Sequence, residues 1–441
     1  MIIGLIRYYL SLHYWHAAPI PSIKRMQLAK FKRVFGHACR HSKFYREYYG
    51  DHGVLDLQIG SLDDIRRIPK TDKGILRIQP IADIMTCRMA DRIHIHSTSG
   101  SSGEPFRIAF DRYEDYTSHI RVFWALKKAG YRISDKIAIL SRYNVEDKFE
   151  IEGDLAALAA MQKKAGLLQR EIISIYEPVD EIISKLLKTS ARVLWSTPSI
   201  MQMVGNRLRE KDIRLDFPII FLTSEMVSPM QKELFVSTYG KNIVNLYGTM
   251  ESPSLGFDFG LADQFHIFPN SNYFEFEPVM ENDSGRQIGN VVITNLLNRT
   301  MPIIRYDLND FAEADGNPGF GYKYIKKIIG RQDDILELGN GKYLAHHHAH
   351  EMFMDFHECE MFKFVQKADK TIRLQLKISR SQDKSRVAEL ATARWRKRFA
   401  DIPLAIEFVD GFEVNPSTGK FKNIERENGS GQPAGWSEAA K

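Results

Sequence analysis

The sequence predicts an α/β fold, a large layered N-terminal domain followed by a small α+β C-terminal domain. Two changes of texture along the 441 residues carry this reading. From His94 onward, short apolar runs alternate with helical stretches, the pattern of strands layered against helices. After "KKIIGRQDDILELGNGKYL" the order becomes strand, strand, helix, strand, the outline of a unit of about a hundred residues. A chain of this length buries a sizeable core and forms two or more domains.

The first ninety or so residues read as mainly helical. "MIIGLIRYYLSLHYWHAA" is apolar, but Arg7 and His13 interrupt it and it is too short to span a bilayer. It lacks a basic start followed by an unbroken apolar core, so no signal peptide is expected. It reads as an amphipathic helix packed on the body, with peripheral membrane contact as the alternative. "SIKRMQLAKFKRVFGHACRHSKFYREYYG" sets Met26, Leu28, Phe31 and Phe35 near helical spacing among basic residues. In "SLDDIRRIPKTDKGILR", Ser61 is a candidate N-cap ahead of Asp63 and Asp64.

Beyond His94, "RIHIH", "RIAF", "KIAIL", "ARVLWS", "FPIIFLTS" and "NIVNLYG" read as strands, and Tyr176–Lys188 and Ser199–Glu210 as helices. In the C-terminal part "MFKFVQK", "TIRLQLKI" and "LAIEFVD" read as strands around a helix over Ser381–Ala400. Val387, Ala391, Trp395 and Phe399 repeat there at i+4, with Leu390 beside them. Arg394, Arg396, Lys397 and Arg398 read as its solvated face, contact with an acceptor's phosphates being the alternative. The polar, Gly-rich end predicts a disordered tail over residues 427–441. No internal repeat is evident.

The composition, 44% hydrophobic and 26% charged, is that of an ordinary globular protein. A net charge of +6, spread along the chain, favours small anionic ligands and gives little support for nucleic acid. Cys39, Cys87 and Cys359 are odd in number and far apart, which suits a reducing cytoplasm and excludes a cysteine metal site.

Chemistry is first suggested by "HSTSGSSGEPF", a run of hydroxyls and glycine between two strands. Gly103 is followed by Glu104 and Pro105, so no Walker lysine is present. Such a hairpin loop cradles a pyrophosphate or is simply a flexible turn. Downstream, "LYGTMESPSLGF" puts Tyr247 and Glu251 just past a buried strand, where α/β folds place ligands. "MPIIRYDLNDFAEAD" offers Arg305, Asp307 and Asp310, "IIGRQDDIL" offers Arg331, Asp333 and Asp334, and "NPSTGKFKN" offers Lys420 on a Gly-containing turn.

In this order and spacing these segments resemble the adenylate-forming ligases, the superfamily of acyl-CoA synthetases and adenylation domains. The nearest pattern is the phenylacetate–coenzyme A ligase branch with its capsule-biosynthesis relatives. "HACRHSKFYREYY", "IPKTDK", "STSGSSGEP", "IIFLTSEMVSP", "FHIFPNSNYFEFEP", "VVITNLLNRTMPIIRYDLND", "GRQDD" and "STGKF" carry the resemblance over nearly the whole chain. It implies an adenylation domain over 1–332 (a helical segment 1–93 and a nucleotide- and acid-binding core 94–332) and a mobile domain over 333–426 hinged at Asp333.

The resemblance implies an ATP-dependent, AMP-forming enzyme that activates a small or aromatic carboxylic acid and passes it to coenzyme A or carrier-protein phosphopantetheine. Ser97, Thr98, Ser99, Gly100, Ser101, Ser102 and Gly103 would hold the β- and γ-phosphates, and Glu251 would bind Mg²⁺. Tyr247 would lie on the adenine face, with Ser224 and Glu225 near its edge and Gly248 and Thr249 beside the nucleotide. Asp310 and Arg331 would bind the ribose, and Lys420 would bridge the carboxylate and the α-phosphate. An amine, hydroxyl or sugar acceptor is an alternative, as is a catalytically silent nucleotide-binding protein. Partners expected are the acid and an acyl-carrier protein, with no nucleic acid and no transmembrane segment; homodimer formation is left open.

Some positions depart from the family pattern. Met250 stands where Thr usually precedes the metal-binding Glu, with Thr249 one place earlier. Asn309 replaces the Gly before the ribose Asp, acceptable because Asn takes positive φ readily. Thr223-Ser224-Glu225 replaces Gly-Gly-Glu. The cluster "AHHHAHEMFMDFHE" raises a metal site through His346 and His350 at i and i+4, which lacks a second ligand pair. His266 is expected to line the acyl or nucleotide pocket.

Overall fold

The apolar runs become strands and their two faces feed two separate cores. The computed structural model describes residues 1–87, 93–97, 106–141, 166–282, 285–331, 335–339, 342–353, 356, 358–367, 369–379, 381–400, 402–412 and 423–427. Expectations for Thr98–Gly103, Asp333, Lys420 and the tail therefore lie outside the described residues.

The first strands are β1 (Ile93–Ser97) and β2 (Arg107–Asp111), followed by β3 (Ile137–Ser141), β4 (Arg170–Ser174), β5 (Val193–Ser196), β6 (Ile219–Leu222) and β7 (Ile243–Tyr247). Next come β8 (Gly256–Phe259), β9 (Phe265–Ile267), β10 (Asn272–Glu281), β11 (Gln287–Asn295), β12 (Tyr306–Ala314), β13 (Tyr324–Ile325) and β14 (Ile328–Arg331).

Eight of these form the main sheet, in the order β13-β9-β8-β7-β6-β5-β3-β4. The strands from β7 to β4 run parallel, while β8, β9 and β13 are antiparallel. The period of two in a strand explains the layering. Ile220 and Leu222 face the helices Val179–Lys188, Pro198–Glu210 and Pro229–Thr238 through Ile182, Met201 and Phe235. Ile219 and Phe221 face the opposite layer, where Trp124 of the helix Arg112–Lys128 and Tyr8 and Leu12 of the helix Ile2–Ala17 meet them. The N-terminal helix thus packs on the body as expected.

The second sheet, β10-β11-β12-β14, is antiparallel throughout. With the hairpin β1–β2 and the helices Ile20–His41 and Lys43–Asp51 it closes a second large core around Phe31, Tyr45, Ile108, Ile293 and Tyr306. Beyond it lie the hairpin β15 (Ile335–Gly339) and β16 (Lys342–Ala345), and strands β17 (Cys359–Gln366), β18 (Ile372–Ile378), β19 (Leu404–Phe408) and β20 (Ile424–Arg426). The last four make a sheet in the order β19-β18-β17-β20, packed on the helix Lys384–Phe399. Val387, Ala391, Trp395 and Phe399 are buried in that core, whereas Leu390 is exposed at its edge. Arg396, Lys397 and Arg398 are exposed, and Arg394 lies over Phe356 and donates to the Met352 carbonyl.

Ser61 does not act as an N-cap. The Asp64 carboxylate reaches back and accepts from the Gly60 and Ser61 N–H groups at 2.9 and 2.8 Å and from the Ser61 hydroxyl at 3.0 Å. The Ser61 hydroxyl is thereby engaged as a donor to a charged acceptor, a stronger hydrogen bond than a neutral cap would make.

Candidate active site

The parallel strands of the main sheet end on one edge, where Ser199 opens the helix after β5 and the loops leaving β6 and β7 carry Thr223–Glu225 and Gly248–Glu251. That is where open parallel sheets expose backbone groups and place ligands. The second sheet brings Asp310 and Arg331 to the same place as cross-strand partners on β12 and β14.

The Tyr247 hydroxyl donates to Asp310 Oδ2 at 2.8 Å, and Arg331 Nε lies 3.6 Å from Asp310 Oδ1. Burial pushes the Asp310 carboxyl up to about 6, against the pull of Arg331 and the Tyr247 hydrogen bond. Burial, with the Asp310 charge beside it, also holds the Tyr247 phenol well above its ordinary value, so it stays a donor. The ring of Tyr247 meets Phe265 edge-on at 5.7 Å.

Glu251 is buried, and its Oε1 accepts from the Tyr306 hydroxyl at 2.8 Å. Tyr306 opens β12 beside Thr71, whose N–H donates to the Arg305 carbonyl and whose carbonyl accepts from Asp307 N–H. The "IPKTDK" segment is thereby added alongside β12. Arg305 belongs to this staple rather than to the site. Its guanidinium is buried on Glu275 at 3.0 Å and donates to the Arg66 and Ile68 carbonyls. Lys70 bridges Glu277 at 2.7 Å and Asp307 at 3.4 Å.

The unusual positions keep glycine-like backbone. Asn309 has φ 57° and Ser224 φ 73°, so both take the left-handed conformation that glycine occupies at no steric cost. The Thr249 hydroxyl accepts from Ser252 N–H at 3.2 Å and holds the loop after β7. A Cβ on Gly248 would stand 2.8 Å from the Ser254 nitrogen, which explains the glycine. Glu225 is engaged away from its strand, accepting from the Ser199 N–H at 2.8 Å and hydroxyl at 2.9 Å at the start of the helix Pro198–Glu210.

The hairpin that carries the Ser/Gly loop is formed as expected, with Ser97 opposite Arg107. Its first strand is braced by Asp115, which receives His94 Nδ1 at 2.7 Å and His96 Nε2 at 3.1 Å. Arg121 joins the N-terminal helix to the Glu251 loop, donating to the Tyr8 hydroxyl at 2.8 Å and to the Pro253 and Ser254 carbonyls at 2.5 and 2.9 Å.

His266 is not gathered with Tyr247. Strand alternation on β9 sends Phe265 toward Tyr247 and His266 toward His16 and Phe259, at ring distances of 5.1 and 5.5 Å. Burial and nearby Lys128 and His16 lower the His266 imidazole to about 4. In the histidine-rich helix His346–Phe353, His348 is buried against Tyr343 and accepts from Ala345 N–H at 3.3 Å. The side chains of His346, His347 and His350 lie outside the described residues.

Spacing alone missed Tyr306, Thr71 and Arg121. Their partners lie 55, 233 and 132 residues away respectively, and no local pattern links positions so distant.

No family model matches the chain. Phenylacetate-coenzyme A ligase of Pseudomonas putida is 22% identical over 333 residues, spanning 72% of this chain and 73% of that protein. Protein CapK of Staphylococcus aureus is 21% identical over 416 residues, 89% of this chain and 86% of that protein. Among solved structures, 2-hydroxyisobutyryl-CoA ligase in its postadenylation state superimposes with a TM-score of 0.68 at 18% identity, covering 93% and 90% of the two chains. O-succinylbenzoate coenzyme A synthetase of Bacillus subtilis, in complex with AMP, gives a TM-score of 0.51 over 75% and 67%. The chain is thus similar in sequence to phenylacetate-coenzyme A ligase and protein CapK, with the resembling segments in order along it, and it shares the mixed α/β fold of 2-hydroxyisobutyryl-CoA ligase.

Proposed function

We propose that this protein is an ATP-dependent, AMP-forming acid–thiol ligase. The observation that carries the reading is the convergence of Tyr247, Asp310 and Arg331, from two different sheets, beside the buried carboxylate Glu251. An aromatic ring, a carboxylate and a guanidinium held together at strand ends suit a nucleoside: the ring for the base, the carboxylate for ribose hydroxyls and the guanidinium as a donor to the same sugar.

In the first half-reaction an acid carboxylate oxygen bonds to the α-phosphorus of ATP, and the bond to the bridging oxygen breaks to release pyrophosphate. Two anions meet, so the chain must supply oriented donors and positive charge. The Ser97–Gly103 loop supplies the first to the departing phosphates and Lys420 the second, bridging the carboxylate and the α-phosphate. Glu251 fits a hard cation, since Tyr306 orients one of its oxygens and carboxylate oxygen is the donor Mg²⁺ takes. A bound Mg²⁺ would offset polyphosphate charge there.

In the second half-reaction a thiolate attacks the acyl carbon and AMP leaves as the acyl–oxygen bond breaks. Asp333 would act as the hinge that re-aims the segment 333–426 between the two steps. Coenzyme A is the acceptor favoured by the ligases to which the chain is similar, and the acid is small or aromatic. Glycine-like backbone at Ser224 and Asn309 supports an active enzyme rather than a silent nucleotide binder.

The test is ATP–pyrophosphate exchange with a panel of aromatic and small hydroxylated acids, comparing wild type with Lys420→Ala. At least one acid should drive exchange, and the variant should lose it by about a hundredfold or more. Nucleotide binding without exchange for any acid would sink the ligase reading. Turnover with amines or alcohols but not with coenzyme A or holo-carrier protein would reassign the acceptor.

A further inference from the structure

The helix Ile2–Ala17 is apolar on both faces, yet only one is covered. Tyr8 and Leu12 are buried against the helix Arg112–Lys128. On the opposite side Ile3, Ile6, Leu10 and Tyr14 follow one another at spacings of three and four, a continuous stripe. They are 69%, 55%, 61% and 64% exposed, and Ile2 beside them is 50% exposed. The exposed Arg7 and His13 flank this stripe, and a contiguous uncovered apolar patch of this kind marks a contact surface.

Charge indicates which contact. Residues 1–46 hold nine Lys and Arg and no Asp or Glu. The next helix, Ile20–His41, follows after Ala18 and Pro19 and exposes Lys24, Arg25, Lys32 and Arg33. Lys30 is excluded from this group because it is half-buried and donates to the Asn270 carbonyl at 2.5 Å. Two copies meeting through this face would bring like-charged segments together, whereas an anionic bilayer complements them. Tyr14, with Trp15 packed edge-on against it at 5.0 Å, ends the stripe in the aromatic chemistry of membrane interfaces. No described helix is long and apolar enough to cross a membrane.

We infer that the N-terminal helix is a peripheral membrane anchor, lying in the plane of an anionic lipid surface with Ile3, Ile6, Leu10 and Tyr14 among the acyl chains and the exposed basic residues of the following helix on the headgroups. Neither signal alone gives firm attachment, but an apolar face and a polybasic patch together give reversible binding. The inference stands independently of the reaction proposed above. Because Arg121 ties Tyr8 to the loop that carries Glu251, attachment would set the candidate site at a fixed height above the bilayer.

The test is co-sedimentation of the full chain with phosphatidylcholine vesicles, pure or with about 30% phosphatidylglycerol, at about 50 and 500 mM salt. Binding to the anionic vesicles should exceed that to the neutral ones by about fivefold or more at low salt and weaken at high salt. Ile6→Glu with Leu10→Glu should reduce it by about tenfold or more with unchanged thermal stability, since both side chains are exposed. Lys24, Arg25, Lys32 and Arg33 changed together to Gln should abolish the salt dependence. Absence of wild-type binding at low salt overturns the inference. So does light scattering that shows a dimer split by the Ile6→Glu, Leu10→Glu variant, which would assign the face to a second copy.

Discussion

Tyr247 donates its hydroxyl to Asp310 across 2.8 Å, joining the end of a parallel strand to an antiparallel strand 63 residues away. Burial raises this carboxyl from 3.8 to about 6. A raised acid favours folding in its protonated form, so its contribution is full below about pH 3.8 and lost as pH rises through about 6. At neutral pH the ionised group therefore burdens the fold by up to about 3 kcal/mol. Asp310→Asn should melt higher than wild type near pH 7.5, lose that advantage near pH 4, and bind nucleotide about tenfold or more weakly. Melting curves at both pH values with calorimetric titration of ATP check it; a lower melting point near pH 7.5 contradicts the account.

Tyr306→Phe keeps the ring packed and deletes only the donor to Glu251. A buried carboxylate oxygen left without its partner costs about 1–3 kcal/mol. Urea denaturation should show that loss, and pyrophosphate exchange in the variant should need more Mg²⁺. Wild-type stability together with wild-type Mg²⁺ dependence would remove Tyr306 from the site.

Ser224 and Asn309 both hold positive φ, but they should respond differently to glycine. The left-handed conformation costs an ordinary L-residue about 1–2 kcal/mol. Ser224→Gly should recover up to about 1 kcal/mol after the entropy of the unfolded chain is set against it. Asn309→Gly should be near neutral, because Asn tolerates that region. Gly248→Ala should destabilise, since its new methyl meets the Ser254 nitrogen at 2.8 Å. Urea midpoints of the three variants rank them.

Arg305→Met should be the most damaging of these changes, at about 3–5 kcal/mol, because it strands the buried Glu275. Adding Glu275→Leu should return a large part of the loss. A double-mutant cycle measures it, and additive losses would mean the pair is not coupled.

Asp115 is the opposite case to Asp310. Burial alone would raise it, but hydrogen bonds from His96 and His94 outweigh this and bring it down to about 2. A depressed carboxyl stabilises the fold above its unfolded value near 3.8, and the contribution is lost as pH falls toward about 2. Asp115→Asn should lower stability by about 2 kcal/mol at neutral pH, and the gap should close below about pH 3. Acid-unfolding curves of the two proteins read this directly.

Much of the fold was legible in local pattern. "FPIIFLTS" and "NIVNLYG" are strands because four or five apolar residues buried on both faces admit little else, and β6 and β7 stand there. The Trp395 helix announced its core face through i+4 repetition, and that face is buried. The motif residues Tyr247, Asp310, Arg331 and Glu251 stood out because polar groups just past buried strands are hard to explain as packing. His266 lies toward His16 and not toward Tyr247 because adjacent strand residues point to opposite faces, and the motif alone does not say which face each takes.

By itself the sequence determined the α/β class, several strands and helices of the main and C-terminal sheets, the hairpin that carries the Ser/Gly loop and the resemblance to adenylate-forming ligases. These follow from periodicity and turn chemistry, which act over a few residues. Only the tertiary structure decided that Tyr306 serves Glu251, that Arg305 is a staple, that Asn309 and Ser224 keep left-handed backbone, and that Ile3, Ile6, Leu10 and Tyr14 face outward while Tyr8 and Leu12 face in. Each depends on which distant segment arrives alongside, and that is set by the packing of whole layers rather than by neighbours in the chain.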